Sequence, residues 1–251
     1  MFNAMILAGS KKKGPLEISA NVENKALISI NNIPSINYII DALKNSKNIN
    51  KIVVVGPEKM LTKSIDNKID KIVNSGENIL ENIEKGINYF HSDNSILILT
   101  SDIPLITAAA IDEFVKICVD RKADVGYPII TKEEIIKKYP ETERTYIRMK
   151  EGMICGGNIA LLKPEVFFQN KSLINELFEN RKAIQKYVKI LGFKFIIKFL
   201  FKTLTFKEIE KRISEIVGFR SIAVKVSFPE LMIDLDKVSD LELIRQVMER
   251  T

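Results

Sequence analysis

Ile96-Leu97-Ile98-Leu99-Thr100-Ser101-Asp102-Ile103-Pro104-Leu105 decides the fold. Four consecutive apolar residues leave no polar face, so the run reads as a strand buried on both sides, as in a parallel sheet covered by helices. Polar Ser101 and Asp102 follow at once. They stand at the strand's carboxyl end, where open α/β sheets bind ligands. A structural Asx turn ahead of Pro104 is the competing reading of the same aspartate.

The pattern repeats outward from this strand. Upstream, Ala4-Met5-Ile6-Leu7, Lys51 to Val55 and Ile69 to Val73 read as strands, while Pro34 to Leu43 and Asn78 to Tyr89 carry the apolar stripe of a helix. Downstream, Ile111, Phe114, Val115 and Cys118 mark a helix and Val125 to Ile130 a strand; Thr131 with Glu134 has capping-box spacing. A break at Gly156-Gly157 precedes a short apolar strand ending near Leu162. Residues 169–217 read as helical, strands are expected at Ile222 to Val226 and Leu231 to Leu235, and Ser239 with Glu242 is expected to cap a closing helix. Strands alternating with helices predict an α/β fold: a mostly parallel central sheet, helices on both faces and right-handed crossovers.

Composition narrows the chemistry. With two cysteines, Cys118 and Cys155, and one histidine, His91, in 251 residues, disulfide frameworks and the common zinc and two-histidine iron sites are excluded. A Ser-His-Asp triad would have to use His91, which lies in a polar stretch without a nucleophile elbow. The net charge of +6 suits a phosphate-bearing substrate and equally a solvated surface. The positive residues are mostly Lys without interleaved aromatics, so nucleic acid is not an expected partner. Met1 to Gly9 lacks the plan of a secretory leader and no run reaches 18 apolar residues, so the expected compartment is cytoplasmic.

The first strand delivers Ala8, Gly9 and Ser10 into a loop containing Lys11, Lys12, Lys13 and Gly14. Small residues let a ligand approach backbone N–H groups, and ammonium groups neutralise phosphate oxygens. A solvated lysine-rich turn is the plainer alternative. Neither a P-loop nor a Gly-x-Gly-x-x-Gly fingerprint is present.

Met5-Ile6-Leu7-Ala8-Gly9 followed by Asn24-Lys25-Ala26-Leu27 resembles the opening of the nucleotidyltransferases with the molybdenum cofactor guanylyltransferase-like (MobA-like NTP transferase) domain. The resemblance covers roughly residues 3–165 and 220–248 and departs from the family where its loop Arg is replaced by Lys12 or Lys13. It implies a Rossmann-like fold of the nucleotide-diphospho-sugar transferase type in one domain over 1–251, with 220–251 returning to the core; residues 169–217 fit the family poorly and are expected to form a helical insertion or subdomain. It also implies transfer of an NMP from an NTP to a small phosphorylated acceptor, with pyrophosphate released. Such a reaction needs positioning and charge neutralisation more than proton transfer, which agrees with the scarcity of histidine.

On that resemblance, Lys12, Lys13, Lys25 and Asp102 are the expected catalytic residues. Leu7, Ala8, Gly9, Ser10, Gly76, Asn78, Asn82 and Ser101, with Lys25 and Asp102, are expected at the nucleotide. Tyr127, Arg144, Thr145, Gly156, Gly157 and Asn158 are expected on the acceptor side. Asp102 with Asp236 is expected to bind Mg²⁺, or Mn²⁺ in its place, with Asp234 as second choice to Asp236. On an extended segment Asp234 and Asp236 point the same way; a helix cap at Asp236 or Ser239 is the alternative. A metal-dependent glycosyltransferase and a non-catalytic nucleotide-binding or partner-binding protein are the rival functions.

Lys194, Lys198 and Lys202 recur every fourth residue among Phe193, Phe195, Ile196, Ile197, Phe199, Leu200 and Phe201. This apolar, basic stretch is expected to be covered by the core or by a second subunit in a homodimer, or else to touch a membrane peripherally through 190–206.

Overall fold

The computed structural model describes residues 1–9, 13–65, 69–179 and 190–250. Among these, nine strands form one sheet in the order β5-β4-β1-β6-β10-β7-β9-β8, with β11 on the other edge of β7. The strands are β1 (Phe2–Leu7), β4 (Ile49–Gly56), β5 (Lys71–Asn74), β6 (Ile96–Thr100), β7 (Val125–Thr131), β8 (Ile147–Met149), β9 (Gly152–Gly156), β10 (Ile159–Leu162) and β11 (Ser221–Lys225). β2 (Ser29–Ile30) and β3 (Ile33–Pro34) make a separate small hairpin. β1 pairs in parallel with β4 and β6, and β4 with β5 and β7 with β11 likewise. β9 and β10 run against their neighbours. The sheet is therefore mixed but mostly parallel, the Rossmann-like α/β arrangement expected.

Alternation along the central strands explains the two helical layers. Ala4, Ile6, Ile52, Val54, Leu97 and Leu99 share one core with helices α2 (Ser35–Asn45) and α5 (Ala108–Asp120). Met5, Val53, Val55, Ile96 and Ile98 point the other way, onto α4 (Ile79–Phe90) and Phe167 of α7 (Pro164–Gln169). Each fully buried Ile, Leu or Phe contributes about 1.5–3 kcal/mol, so a polar residue at any of these positions would unseat a helix from the sheet. The remaining helices are α1 (Pro15–Ser19), α3 (Glu58–Leu61), α6 (Lys132–Lys138), α8 (Lys171–Glu179), α9 (Phe193–Leu200), α10 (Phe206–Val217) and α11 (Val238–Glu249). Thr131 and Glu134 form the capping box expected at the start of α6.

Two expectations are corrected. Leu231 to Leu235 is not a strand: Pro229–Met232 is a 3-10 turn and the chain then runs extended without joining the sheet. Its polar backbone is used across the strand ends instead, with Asn158 N–H donating to Leu231 O at 3.0 Å and Leu235 N–H to Asp102 O at 2.8 Å. Ser239 does not cap the last helix. The Asp240 carboxylate accepts from the backbone N–H groups of Asp236 and Lys237, and the helix begins one residue earlier.

Helices α9 and α10 lie against the β8–β9 hairpin. Leu204 between them is buried with Ile129, Met149 and Ile154, and Phe195, Phe206 and Ile209 pack around it. Outward-facing side chains of α9 remain exposed, so the expectation of a covered apolar stretch holds for one of its faces only.

Candidate active site

β1 and β6 lie side by side and end at Leu7 and Thr100, so the loops that follow them open at one edge of the sheet. Asn24 governs the return of the first loop. Its side-chain N–H donates to Ala8 O at 2.8 Å and its Oδ1 accepts from Ala26 N–H at 2.9 Å, capping the 3-10 turn Lys25–Leu27. This buried asparagine aims Lys25 across the sheet edge. The Lys25 ammonium donates to Asp102 Oδ2 at 3.2 Å and to Asp236 Oδ1 at 2.5 Å.

The backbone bond from Leu235 N–H to Asp102 O ties the extended segment 233–236 to the end of β6. Ile233 and Leu235 are buried inward, so Asp234 and Asp236 face outward together. One carboxylate oxygen from each of Asp102, Asp234 and Asp236 lies within 4.8 Å of the others. Asp234 thus joins the pair expected from sequence.

Arg144 anchors this cluster. Its guanidinium donates to Asp234 Oδ1, to Asp234 O at 3.2 Å, to Asp240 Oδ1 at 3.0 Å and through Nε to Thr142 Oγ1 at 3.1 Å. A guanidinium held this way is a clamp on carboxylates. Its pairing with Asp240 also joins the start of α11 to the site.

The electrostatics follow from crowding. Burial works to lower the Lys25 pKa, but the charge of Asp102, then the hydrogen bond and charge of Asp236, outweigh it and hold the ammonium above its ordinary value. Burial pushes the Asp234 carboxyl up to about 6, against the pull of Arg144 and with the push of Asp236 and Asp102. Three carboxylates against two nearby cations leave negative charge to be neutralised, and Asp102 Oδ1 is buried without a hydrogen-bond partner. Oxygen-only donors of this kind suit a hard divalent cation, and the cluster could chelate one.

A cleft opens on each side of Lys25 and the carboxylates. One, of about 360 Å³, is lined by Leu7, Gly9, Asn24, Lys25, Asn78, Asn82, Thr100, Ser101 and Asp102, so it gathers most of the residues expected at the nucleotide. Gly9 is required there: a Cβ would stand 2.4 Å from Asn82 Nδ2. Asn82 is buried and accepts from Gly76 N–H at 2.7 Å, holding the glycine turn against the helix start. Asn78 caps α4 by accepting from Glu81 N–H. Ala8 is buried behind the cleft wall.

The second cleft, of about 530 Å³, is lined by Tyr127, Arg144, Thr145, Gly156, Gly157, Asn158, Asp234 and Asp236, bringing together all the residues expected on the acceptor side. Here too glycine matters, since a Cβ on Gly156 would meet the Tyr127 ring at 2.7 Å.

Ser10 and Lys12 lie outside the described residues. Lys13 is exposed and ion-paired with Glu23 at 2.5 Å. Sequence reading quoted Asn24 within its motif but passed over its capping role, and it passed over the Arg144 clamp. The first could have been found, because Asn directly before a short helical turn is a capping signal; the second joins positions 90 and 96 residues apart and leaves no local trace.

The chain matches the family model for the MobA-like NTP transferase domain over residues 4–189, beyond the point near 165 where the sequence resemblance was expected to pause. Among solved structures it is similar to a hypothetical transferase from Thermus thermophilus, with TM-score 0.82 and 28% identity over 96% of this chain and 99% of that one. A nucleotidyl transferase from Methanothermobacter has TM-score 0.55 and 17% identity over 100% of this chain and 98% of that one. CMP:2-keto-3-deoxy-manno-octonic acid synthetase, complexed with CTP, has TM-score 0.63 and 12% identity over 100% and 99%. The latter two show a shared fold. A comparison with curated proteins gives no match. With the family match spanning most of its 251 residues, the chain belongs to the MobA-like NTP transferase family and is an enzyme of nucleotidyltransferase type.

Proposed function

We propose that the chain is a Mg²⁺-dependent nucleotidyltransferase that moves an NMP from an NTP to a small phosphorylated acceptor, in a cytoplasmic setting. The observation carrying this reading is the convergence of Asp102, Asp234 and Asp236 beside Lys25, between two separate clefts. The cleft at Gly9, Asn78 and Asn82 takes the nucleotide. The cleft at Tyr127, Thr145 and Gly156 takes the acceptor. The structurally similar synthetase complexed with CTP is consistent with a nucleotide ligand.

The acceptor oxygen attacks the α-phosphorus. As that bond forms, the bond to the bridging oxygen breaks and its electron pair leaves with pyrophosphate. A phosphate acceptor is already anionic at neutral pH, so no general base is required. Lys25 carries a fixed positive charge toward the transferred and departing phosphates. Asp102, Asp234 and Asp236 would hold the divalent cation, with Arg144 fixing Asp234 in place. The cation supplies Lewis-acid neutralisation of phosphate charge. Backbone N–H groups around Gly9 offer donors that a Cβ would obstruct.

Pyrophosphate release with each of the four NTPs, Mg²⁺ and pooled phosphorylated metabolites tests the reading. Asp102→Ala is expected to lower turnover at least about 100-fold with the fold intact. Near-normal turnover in that variant would remove the carboxylate cluster from the chemistry.

A further inference from the structure

Residues 190–207 contribute no side chain to the lining of either cleft. This stretch holds four lysines, at 194, 198, 202 and 207, and no acidic residue. Its helix α9 buries no side chain fully. At about 100° per residue, Phe193, Ile197, Leu200 and Phe201 share an arc of about 100°. Three of them are strongly exposed: Phe193 by 71%, Leu200 by 68% and Phe201 by 75%. Lys194 and Lys198 follow directly along one edge of that arc. The opposite side, through Phe195, packs toward Leu204 and the β8–β9 hairpin.

The helix is braced in this orientation. Thr203 N–H donates to Lys198 O and Lys202 N–H to Phe199 O, a Schellman-type stop with Lys202 in the left-handed region. Lys150 N–H donates to Leu204 O, Lys198 pairs with Glu208, and Arg212 Nε donates to Leu191 O. The exposed phenylalanines are thus presented by a secured helix.

We infer that α9 is a peripheral docking surface for an anionic lipid bilayer, its apolar strip entering the headgroup boundary and its lysines meeting lipid phosphates. Charge complementarity favours this occupant: Lys198 is spent on Glu208, but Lys194, Lys202 and Lys207 are exposed and have no ion pair among the described residues, which suits an anionic surface. A second copy of the chain suits it less. The exposed parts of the strip's apolar side chains amount to on the order of 400 Å², below the roughly 800 Å² per partner of a stable interface. Two copies facing each other would also bring their lysine rows together. No helix among the described residues is long and apolar enough to cross a membrane, so the contact is one of lying on the surface. The inference is independent of nucleotidyl transfer.

The chain contains no tryptophan, so Phe201→Trp places a single reporter on the strip. At low salt, this protein is expected to co-sediment with vesicles of mixed phosphatidylglycerol and phosphatidylcholine, with a blue-shifted emission, and to stay in solution with phosphatidylcholine alone. The combined variant Phe193→Ser, Leu200→Ser, Phe201→Ser, checked for its fold by circular dichroism, should lose sedimentation. Lys194→Gln with Lys202→Gln should weaken it about 25-fold, at roughly fivefold per lysine. Folded protein that ignores anionic vesicles, or binds both vesicle types equally, would overturn the inference. So would a dimer in solution that the serine variant dissolves while vesicles are left unbound.

Discussion

Replacing Arg144 with Met keeps an unbranched, though shorter, stem and removes, among the described residues, the only charge that hydrogen-bonds to both Asp234 and Asp240. Arg144 and Asp240 side chains are 8% and 6% exposed, so the Asp240 carboxylate would lose its cation with little water to replace it. Removing one partner of a buried pair costs about 3–5 kcal/mol. Asp234 is 20% exposed, which screens part of its share and argues for the lower figure, about 3 kcal/mol. Activity should fall as well, because a residue that orients a metal-binding carboxylate contributes about 10- to 100-fold. Urea unfolding of the metal-free protein and pyrophosphate release measured on the same samples read both effects. Arg144→Lys keeps the charge without the fork and should fall between wild type and Arg144→Met. A loss below about 1 kcal/mol with unchanged turnover would refute the clamp.

Two further outcomes follow from the geometry. Gly9→Ala sets a methyl group 2.4 Å from Asn82 Nδ2, so the cleft wall must shift and the KM for NTP should rise about tenfold or more with the fold retained; an unchanged KM would show that Asn82 yields freely. Asp234 is held at about 6, above its unfolded value, so between those values the folded chain binds a proton that the unfolded chain has released. Stability of the metal-free protein should therefore rise as pH falls from 7 toward 5, and Asp234→Asn should flatten that rise; equal Tm gains in both proteins would remove Asp234 as its source.

Much of the fold was legible because its central strands are continuous apolar runs. Ala4 to Ile6 and Ile96 to Leu99 are buried on both faces, as strands between two helical layers are. The site was legible where chemistry sits at strand ends: Gly9, Lys25 and Asp102 fall where the sheet opens. Asp234 and Asp236 were read onto one side from the period of an extended chain, although that segment hydrogen-bonds across strand ends and its apolar residues mimic a strand. Hairpin β8–β9 escaped notice because Ile147–Met149 is short and its partner Gly152–Gly156 has only three residues between two glycines. The antiparallel course of β10 is a tertiary choice that its four residues do not record. Side-chain partnerships such as Arg144 with Asp234 and Asp240 depend on how distant segments converge, and composition carries no mark of them.

Mn²⁺ binding, followed by its electron paramagnetic resonance signal with a non-hydrolysable NTP analogue present, tests the carboxylate cluster most directly. Wild-type protein should bind Mn²⁺, with affinity falling at least about tenfold in Asp102→Asn and in Asp236→Asn while the fold persists. Identical Mn²⁺ binding in all three proteins would contradict the assignment of Asp102 and Asp236 to one shared cation.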